Sequence, residues 1–236
     1  MSPSAPLLSV ERLSKRFGAF QALDGLTLEL APGEVLGLVG PNGSGKTTAI
    51  NVISGVYPAD AGAILLDGRS IGKLPIHRRA HLGINRTFQV PKPFRGLTVG
   101  ENLEVAAVYS RADRAEIGKC LEFLELAPLA GREAASLNSA QQKRLDLARA
   151  LIARPRLLLV DELGAGLNPV ELQHMAQTLT TIARSGVALL VVEHLLGFLR
   201  ELTSRVVVMD AGREIFEGSL EVAARDPQVI DVFLGG

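Results

Sequence analysis

Apolar and polar residues partly alternate over residues 7–17 and again over 26–30, the period of two that a strand shows when one face packs and the other meets solvent. Both segments are expected to be strands of an antiparallel, half-exposed sheet. Residues 34–39 are apolar up to a glycine-rich turn, and 46–56 reads as a helix punctuated by Gly55 and Pro58, so a strand, a loop and a helix follow one another. A short strand at 63–66 closes on an Asp67-Gly68 turn, and a helix is expected after Pro75, before the segment 83–89.

From residue 90 to about 132 the β pattern stops, and helical spacing takes over at 99–109 and 112–124. A further helix is expected at 141–153, where Leu145, Ala148, Leu151 and Ile152 recur at three- and four-residue intervals, and it leads into a buried strand at 157–160. Helix 170–184, strand 187–192, helix 194–202 and strands 205–209 and 214–216 then alternate. The pattern predicts an α/β protein with a mostly parallel sheet covered by helices, an N-terminal antiparallel β part and an inserted helical subdomain. In these terms 1–236 is one domain, with a core from 1–89 and 154–236 and a helical subdomain, 90–153.

Composition narrows the function classes. At 236 residues and 47% hydrophobic the chain has enough apolar surface for a substantial core, which excludes a disordered or fibrous protein. Lys plus Arg and Asp plus Glu both number 25, so no net charge steers the protein to nucleic acid or an anionic membrane. A single cysteine, Cys120, suits a reducing compartment. Residues 1–6 lack the basic and apolar regions of a secretory signal, and the apolar run at 187–192 is far short of the roughly 20 residues that span a bilayer. A cytoplasmic protein is expected, with any membrane association made through a partner.

The chemistry begins at Gly40-Pro41-Asn42-Gly43-Ser44-Gly45-Lys46-Thr47, which fits G-x-x-x-x-G-K-[ST] between a predicted strand and a predicted helix. In such a loop the backbone N–H groups curl around a β-phosphate, the lysine reaches the β- and γ-phosphates, and the hydroxyl of Thr47 ligates Mg²⁺. Four apolar residues then deliver Asp161 and Glu162 to a strand end, where Asp161 would hold Mg²⁺ and Glu162 would act as general base on a water. The competing reading of that hexamer alone is an ordinary acidic strand end. His194 follows a strand expected beside that of Asp161; its two readings are a surface residue and a hydrogen-bond partner of the γ-phosphate and the attacking water.

Across almost the whole chain these motifs resemble the ATP-binding subunits of ABC transporters. The marks are residues 40–48, Gln89 in Arg86-Thr87-Phe88-Gln89, the helix from Gln142 to Leu151, Asp161-Glu162, Ala165-Gly166-Leu167-Asn168 and Val192-Glu193-His194. The resemblance implies a P-loop nucleotide-binding fold, ATP and Mg²⁺ as cofactors, and ATP hydrolysis coupled to transport. It places Gly40 to Thr48 on the nucleotide, Thr47, Gln89 and Asp161 at the metal, and Lys46, Gln89, Glu162 and His194 in catalysis. Phe17 resembles the aromatic residue that stacks on adenine, the alternative being a core residue of the first strand. Arg86 to Gln89 with Pro93-Phe94, Gly96-Leu97-Thr98-Val99 with Glu101-Asn102-Leu103, and the ending from Asp226-Pro227 to Leu234-Gly235 are similar to importers of branched-chain amino acids.

Where the family reads Leu-Ser-Gly-Gly-Gln, this chain has Leu137-Asn138-Ser139-Ala140-Gln141, and Leu163-Gly164 replaces the usual Pro-Thr or Pro-Ser. The family pattern puts Asn138, Ser139, Ala140 and Gln141 against the γ-phosphate held by the opposite subunit, and a β-carbon at Ser139 and Ala140 is expected to restrict that loop. The implied partners are a second ATPase subunit, the same or a different chain, transmembrane permease subunits and, indirectly, a solute-binding protein, with no nucleic acid. The implied location is the inner face of the cell membrane. The alternatives are a soluble ATPase of the same class acting on nucleic acid or ribosomes, and a regulatory subunit with weak turnover.

Overall fold

The computed structural model describes residues 5–234; expectations resting on residues 1–4 and on Gly235 lie outside the described residues. Strand β1 (Leu8–Phe17) turns back into β2 (Phe20–Leu30), and the incomplete alternation of the sequence has a cause. The register shifts between Val10 and Leu13, where Arg12 takes a φ of 46°, so a bulge resets which residues face inward. The phosphate-loop unit follows as β3 (Val35–Val39) and α1 (Lys46–Ser54), then β4 (Ala61–Leu66), β5 (Arg69–Ser70), α2 (Ile76–His81) and β6 (Ile84–Arg86). Helices α3 (Val99–Ser110), α4 (Arg114–Phe123) and α5 (Ser139–Ile152) come next. The chain closes through β7 (Leu157–Asp161), α6 (Pro169–Arg184), β8 (Ala188–Val192), α7 (Leu196–Leu202), β9 (Arg205–Asp210), β10 (Arg213–Ser219), α8 (Leu220–Ala223) and α9 (Pro227–Leu234).

Two sheets result. An antiparallel sheet runs β2-β1-β4-β5, and a six-stranded sheet runs β10-β9-β3-β8-β7-β6, parallel except for the β9–β10 pair. The period of two in β7 and β8 explains their unbroken apolar sequences. Leu157, Leu159, Ala188, Leu190 and Val192 face the core shared with the antiparallel sheet and α1, whereas Leu158, Val160, Leu189 and Val191 face a second core under α5 and α6. Both faces are dry, and each leucine buried there contributes on the order of 2 kcal/mol.

Helix starts follow local chemistry. Thr98 with Glu101, Asp113 with Glu116, Asn138 with Gln141 and Asn168 with Glu171 each form a reciprocal capping box, and Pro169 adds a preset φ at the first position of α6. Two expectations need correction. The helix expected at 194–202 begins at Leu196, because the backbone at Leu195 is extended and His194 is engaged elsewhere. Ser139 and Ala140 are not loop residues: they open α5 in ordinary helical conformation, neither having positive φ, so their β-carbons introduce no backbone strain. Helices α8 and α9 were not expected, although Asp226 caps the latter by accepting from the backbone N–H groups of Gln228 and Val229.

Candidate functional site

The carboxyl ends of β3, β7 and β8 lie side by side, and each delivers one part of the site. From β3 the chain enters the loop Gly40 to Gly45 and then α1, whose first turn carries neither an acidic residue nor a side-chain cap. Its backbone N–H groups therefore remain available to an anion. Gly40 has a φ of 151°, and a β-carbon there would lie 2.2 Å from the carbonyl oxygen of Met209, so only glycine fits. Lys46 is buried, and its ammonium donates to the carbonyls of Gly40 and Pro41 at 2.8 Å each and to the Ser44 hydroxyl at 3.2 Å. Burial lowers its pKa, against the opposing pull of Glu162 and Asp161. Thr47 is exposed beside it.

Asp161 ends β7, 2% exposed. Its Oδ2 faces Arg86 Nη2 at 3.3 Å, and its Oδ1 is buried with no hydrogen-bond partner. Burial raises the pKa of Asp161, and the Arg86 guanidinium opposes the rise. Among the described residues no cluster of three or more His, Cys, Asp or Glu stands ready to bind a metal. The vacant lone pairs of Asp161 Oδ1 nevertheless fit a hard cation that takes its remaining ligands from phosphate and water, as Mg²⁺ does.

Glu162 sits at the junction. Its φ of 47° swings the carboxylate out of the strand line, where Gln89 Nε2 donates to Oε2 at 2.6 Å and His194 Nε2 lies 2.7 Å from Oε1. A carboxylate only accepts, so the Nε2 of His194 carries the hydrogen. The structure thus brings Gln89, Glu162 and His194 into direct contact, although Gln89 lies far from both in sequence.

Phe17 is 42% exposed at the end of β1, which removes the alternative of a core residue and leaves its ring open to a ligand. Its ring meets Tyr57 edge-on, with centroids 5.2 Å apart and planes at 78°, and the Lys15 ammonium lies 5.4 Å from its centroid. Asn138 and Gln141 bind each other at the start of α5: Gln141 N donates to Asn138 Oδ1 at 2.9 Å and Asn138 N to Gln141 Oε1 at 3.1 Å.

Sequence reasoning missed the residues beneath this surface. Arg86 donates to Asn51 Oδ1 at 2.6 Å and stacks on Phe88 at 4.6 Å, besides facing Asp161. Lys143, Asp146 and Glu193 are buried next to the loops that carry Gln89 and Glu162. For Lys143 and Asp146 a signal existed, since they fall at three- and four-residue spacing with Ala140, Leu147 and Ala150, on a face that should hold apolar residues.

A profile of the family described as ABC transporter matches residues 23–165. A probable branched-chain amino acid transport ATP-binding protein of Archaeoglobus fulgidus, LivG, is 38% identical over 97% of this chain and 95% of its own length. The crystal structure of a nucleotide-free ATP-binding cassette from an ABC transporter superposes with a TM-score of 0.90 at 31% identity, covering 98% of this chain and 100% of that one. A dimeric cassette in a post-hydrolysis state, bound to ADP and phosphate, superposes with a TM-score of 0.82 at 25% identity over 90% and 98% of the two chains.

Proposed function

The chain belongs to the ABC transporter ATP-binding family, and from that premise we propose that it is an ATPase subunit of an importer of branched-chain or related amino acids. Two such subunits, identical or different, would enclose two ATP molecules and act on transmembrane permeases at the inner face of the membrane. A solute-binding protein would meet this chain only indirectly, and nucleic acid takes no part. No described helix is long and apolar enough to cross a membrane, so attachment would rest on the permeases.

The observation that carries this reading is the Glu162 carboxylate held between Gln89 and His194 beside the phosphate loop. The backbone N–H groups from Gly40 to Thr48 and the Lys46 ammonium would take the β- and γ-phosphates, and Phe17 the adenine ring. Thr47, Asp161 and Gln89 would hold Mg²⁺. The ion, when bound, neutralises charge on the phosphates. Release of Oε2 by Gln89 leaves one carboxylate oxygen to accept the proton of the attacking water, while His194 keeps the other oriented. Asn138 to Gln141 would meet the γ-phosphate on the partner subunit. ATP touching both halves only in the closed pair favours closure by differential binding, and hydrolysis removes that preference.

A groove of about 530 Å³ between α2, α3 and α5, lined by His77, Phe88, Phe94, Val105 and Arg149 among others, includes residues of the segment that follows Gln89. Residues 90–153, moving as a unit, would carry the state of Gln89 to a permease segment seated there. The test is to tag the chain in its native cell, solubilise membranes gently with MgATP present and identify what copurifies. Membrane permeases with an ATPase partner are the expected result; soluble partners, nucleic acid or ribosomes alone would overturn the importer reading.

A further inference from the structure

One peptide unit beside the site is gripped at both ends by buried polar side chains. The Glu193 carboxylate, 1% exposed, accepts the Gly164 N–H at 2.6 Å, and the Lys143 ammonium, 4% exposed, donates to the Leu163 carbonyl at 2.8 Å. Those two groups belong to the same peptide bond, so an acceptor oxygen of Glu193 faces the positive end of its dipole and the Lys143 donor faces the negative end. Lys143 also donates to the carbonyls of Glu162 and Ala165, which uses all of its hydrogens on this one turn. Gly164 makes the approach possible. A β-carbon there would stand 3.0 Å from Leu172 Cδ2 and 3.2 Å from the Glu193 oxygen, so a larger residue would push the carboxylate away.

The turn needs such a grip. Glu162 holds a φ of 47°, a left-handed conformation that a residue with a β-carbon adopts at a cost of about 1 kcal/mol or more. Leu163 and Gly164 impose little backbone restriction of their own. Without tertiary contacts the segment would relax toward extended backbone and carry the Glu162 side chain with it.

We propose that Lys143 and Glu193 are positioning residues for Glu162: by clamping the Leu163–Gly164 peptide from both sides they fix the left-handed turn that presents the Glu162 carboxylate to Gln89 and His194. This rests on the reading of Glu162 as general base. Because Lys143 lies on α5 one turn beyond Asn138 to Gln141, the clamp also ties the start of that helix to the catalytic turn. A shift of α5 is thereby transmitted to Glu162 through a buried hydrogen bond.

The test combines turnover with a signal that does not depend on it. In glycine-labelled protein without nucleotide, the Gly164 amide resonance should lie well downfield and exchange slowly; Glu193→Ala and Lys143→Met should each shift it and speed its exchange. In the assembled complex the same variants should lower kcat on the order of tenfold to a hundredfold with KM for ATP little changed, as expected for a misplaced base. Glu193→Gln, which keeps an acceptor oxygen, should retain most of kcat. The double variant Lys143→Met with Glu193→Leu buries no charge and should regain thermal stability while kcat stays low. Recovery of kcat together with stability, or a Gly164 resonance unmoved in Glu193→Ala, would overturn the proposal. Glu162→Gln separates the two readings: turnover surviving there sinks the general base, whereas the Gly164 signal reports on the clamp alone.

Discussion

Replacing Asn138 by alanine probes the capping box that starts α5. The side chain accepts from Gln141 N at 2.9 Å, while the Asn138 backbone N–H donates to Gln141 Oε1 at 3.1 Å, so the substitution removes the first bond and leaves the second available. Loss of an asparagine N-cap costs about 1 kcal/mol, within a range of roughly 0.5 to 2. The rest of α5 is anchored by Leu145, Leu147 and Ala148, all fully buried, so fraying should stop within the first turn. For a chain of this size about 1 kcal/mol corresponds to a fall in Tm of roughly 2–4 °C. Asn138→Ser keeps an oxygen in the capping position and should recover most of that loss. Thermal unfolding followed by circular dichroism measures both variants. With the oxygen of Asn138 committed to the helix, only its amide hydrogens remain to reach a partner's phosphate; Asn138→Ser therefore changes the donor without changing the cap, and ATP turnover in the assembled complex reads that difference separately. A serine variant as unstable as the alanine variant, or an alanine variant with unchanged Tm, would refute the capping argument.

Arg86→Gln should leave the Asp161 carboxylate buried without its cationic neighbour, costing about 3 kcal/mol in denaturant unfolding at neutral pH; unchanged stability would show that the pair does not support Asp161. Burial lifts Asp146 from 3.8 to about 6, so the folded chain holds that proton more tightly than the unfolded one, and stability is lost as pH rises through this window. At about 1.4 kcal/mol per decade of shift, the contribution is on the order of 3 kcal/mol, and the stability of Asp146→Asn should be correspondingly flatter between roughly pH 4 and 6; identical pH slopes in parent and variant would contradict it. Phe17→Ala should weaken ATP binding by about 1 to 3 kcal/mol, the range of base stacking, with only a small fall in Tm because the ring is 42% exposed and its protein contacts are limited to the edge of Tyr57 and the Lys15 ammonium. Titration with a fluorescent ATP analogue measures this, and an unchanged affinity would take Phe17 off the base.

The elements legible in the sequence are those whose pattern has a single physical cause. The apolar runs of β7 and β8 could be read because both faces of those strands are buried, and the phosphate loop because its glycine spacing, its lysine and the flanking strand and helix all point one way. Glu162 could be named from its strand end and Gln89 and His194 from the family resemblance, and the strand before His194 was expected beside that of Asp161; the contact of Gln89 with both depends on β6 lying next to β7, which no local pattern encodes. The start of α7 was misplaced for the same reason, since His194 is turned toward a residue 32 positions earlier. The supporting charges were least visible. Lys143 and Glu193 were given no role, and only the fold shows that they meet across one peptide bond. Residues 226–234 entered only as a family mark, and no helix was expected at 220–234 although Asp226 and Pro227 form a readable helix start, because α8 has only four residues and α9 eight.

In the proposed cycle ATP closes a pair of these subunits, and Glu162 takes the proton from the water that breaks it open. The most direct measurement is to incubate the Glu162→Gln protein, assembled with its partners, with MgATP, remove free nucleotide by gel filtration and quantify what stays bound. Intact ATP should be retained in a closed pair, with turnover reduced roughly a hundredfold or more, as removal of a general base requires. Turnover close to that of the parent protein, with ADP rather than ATP recovered, would contradict it.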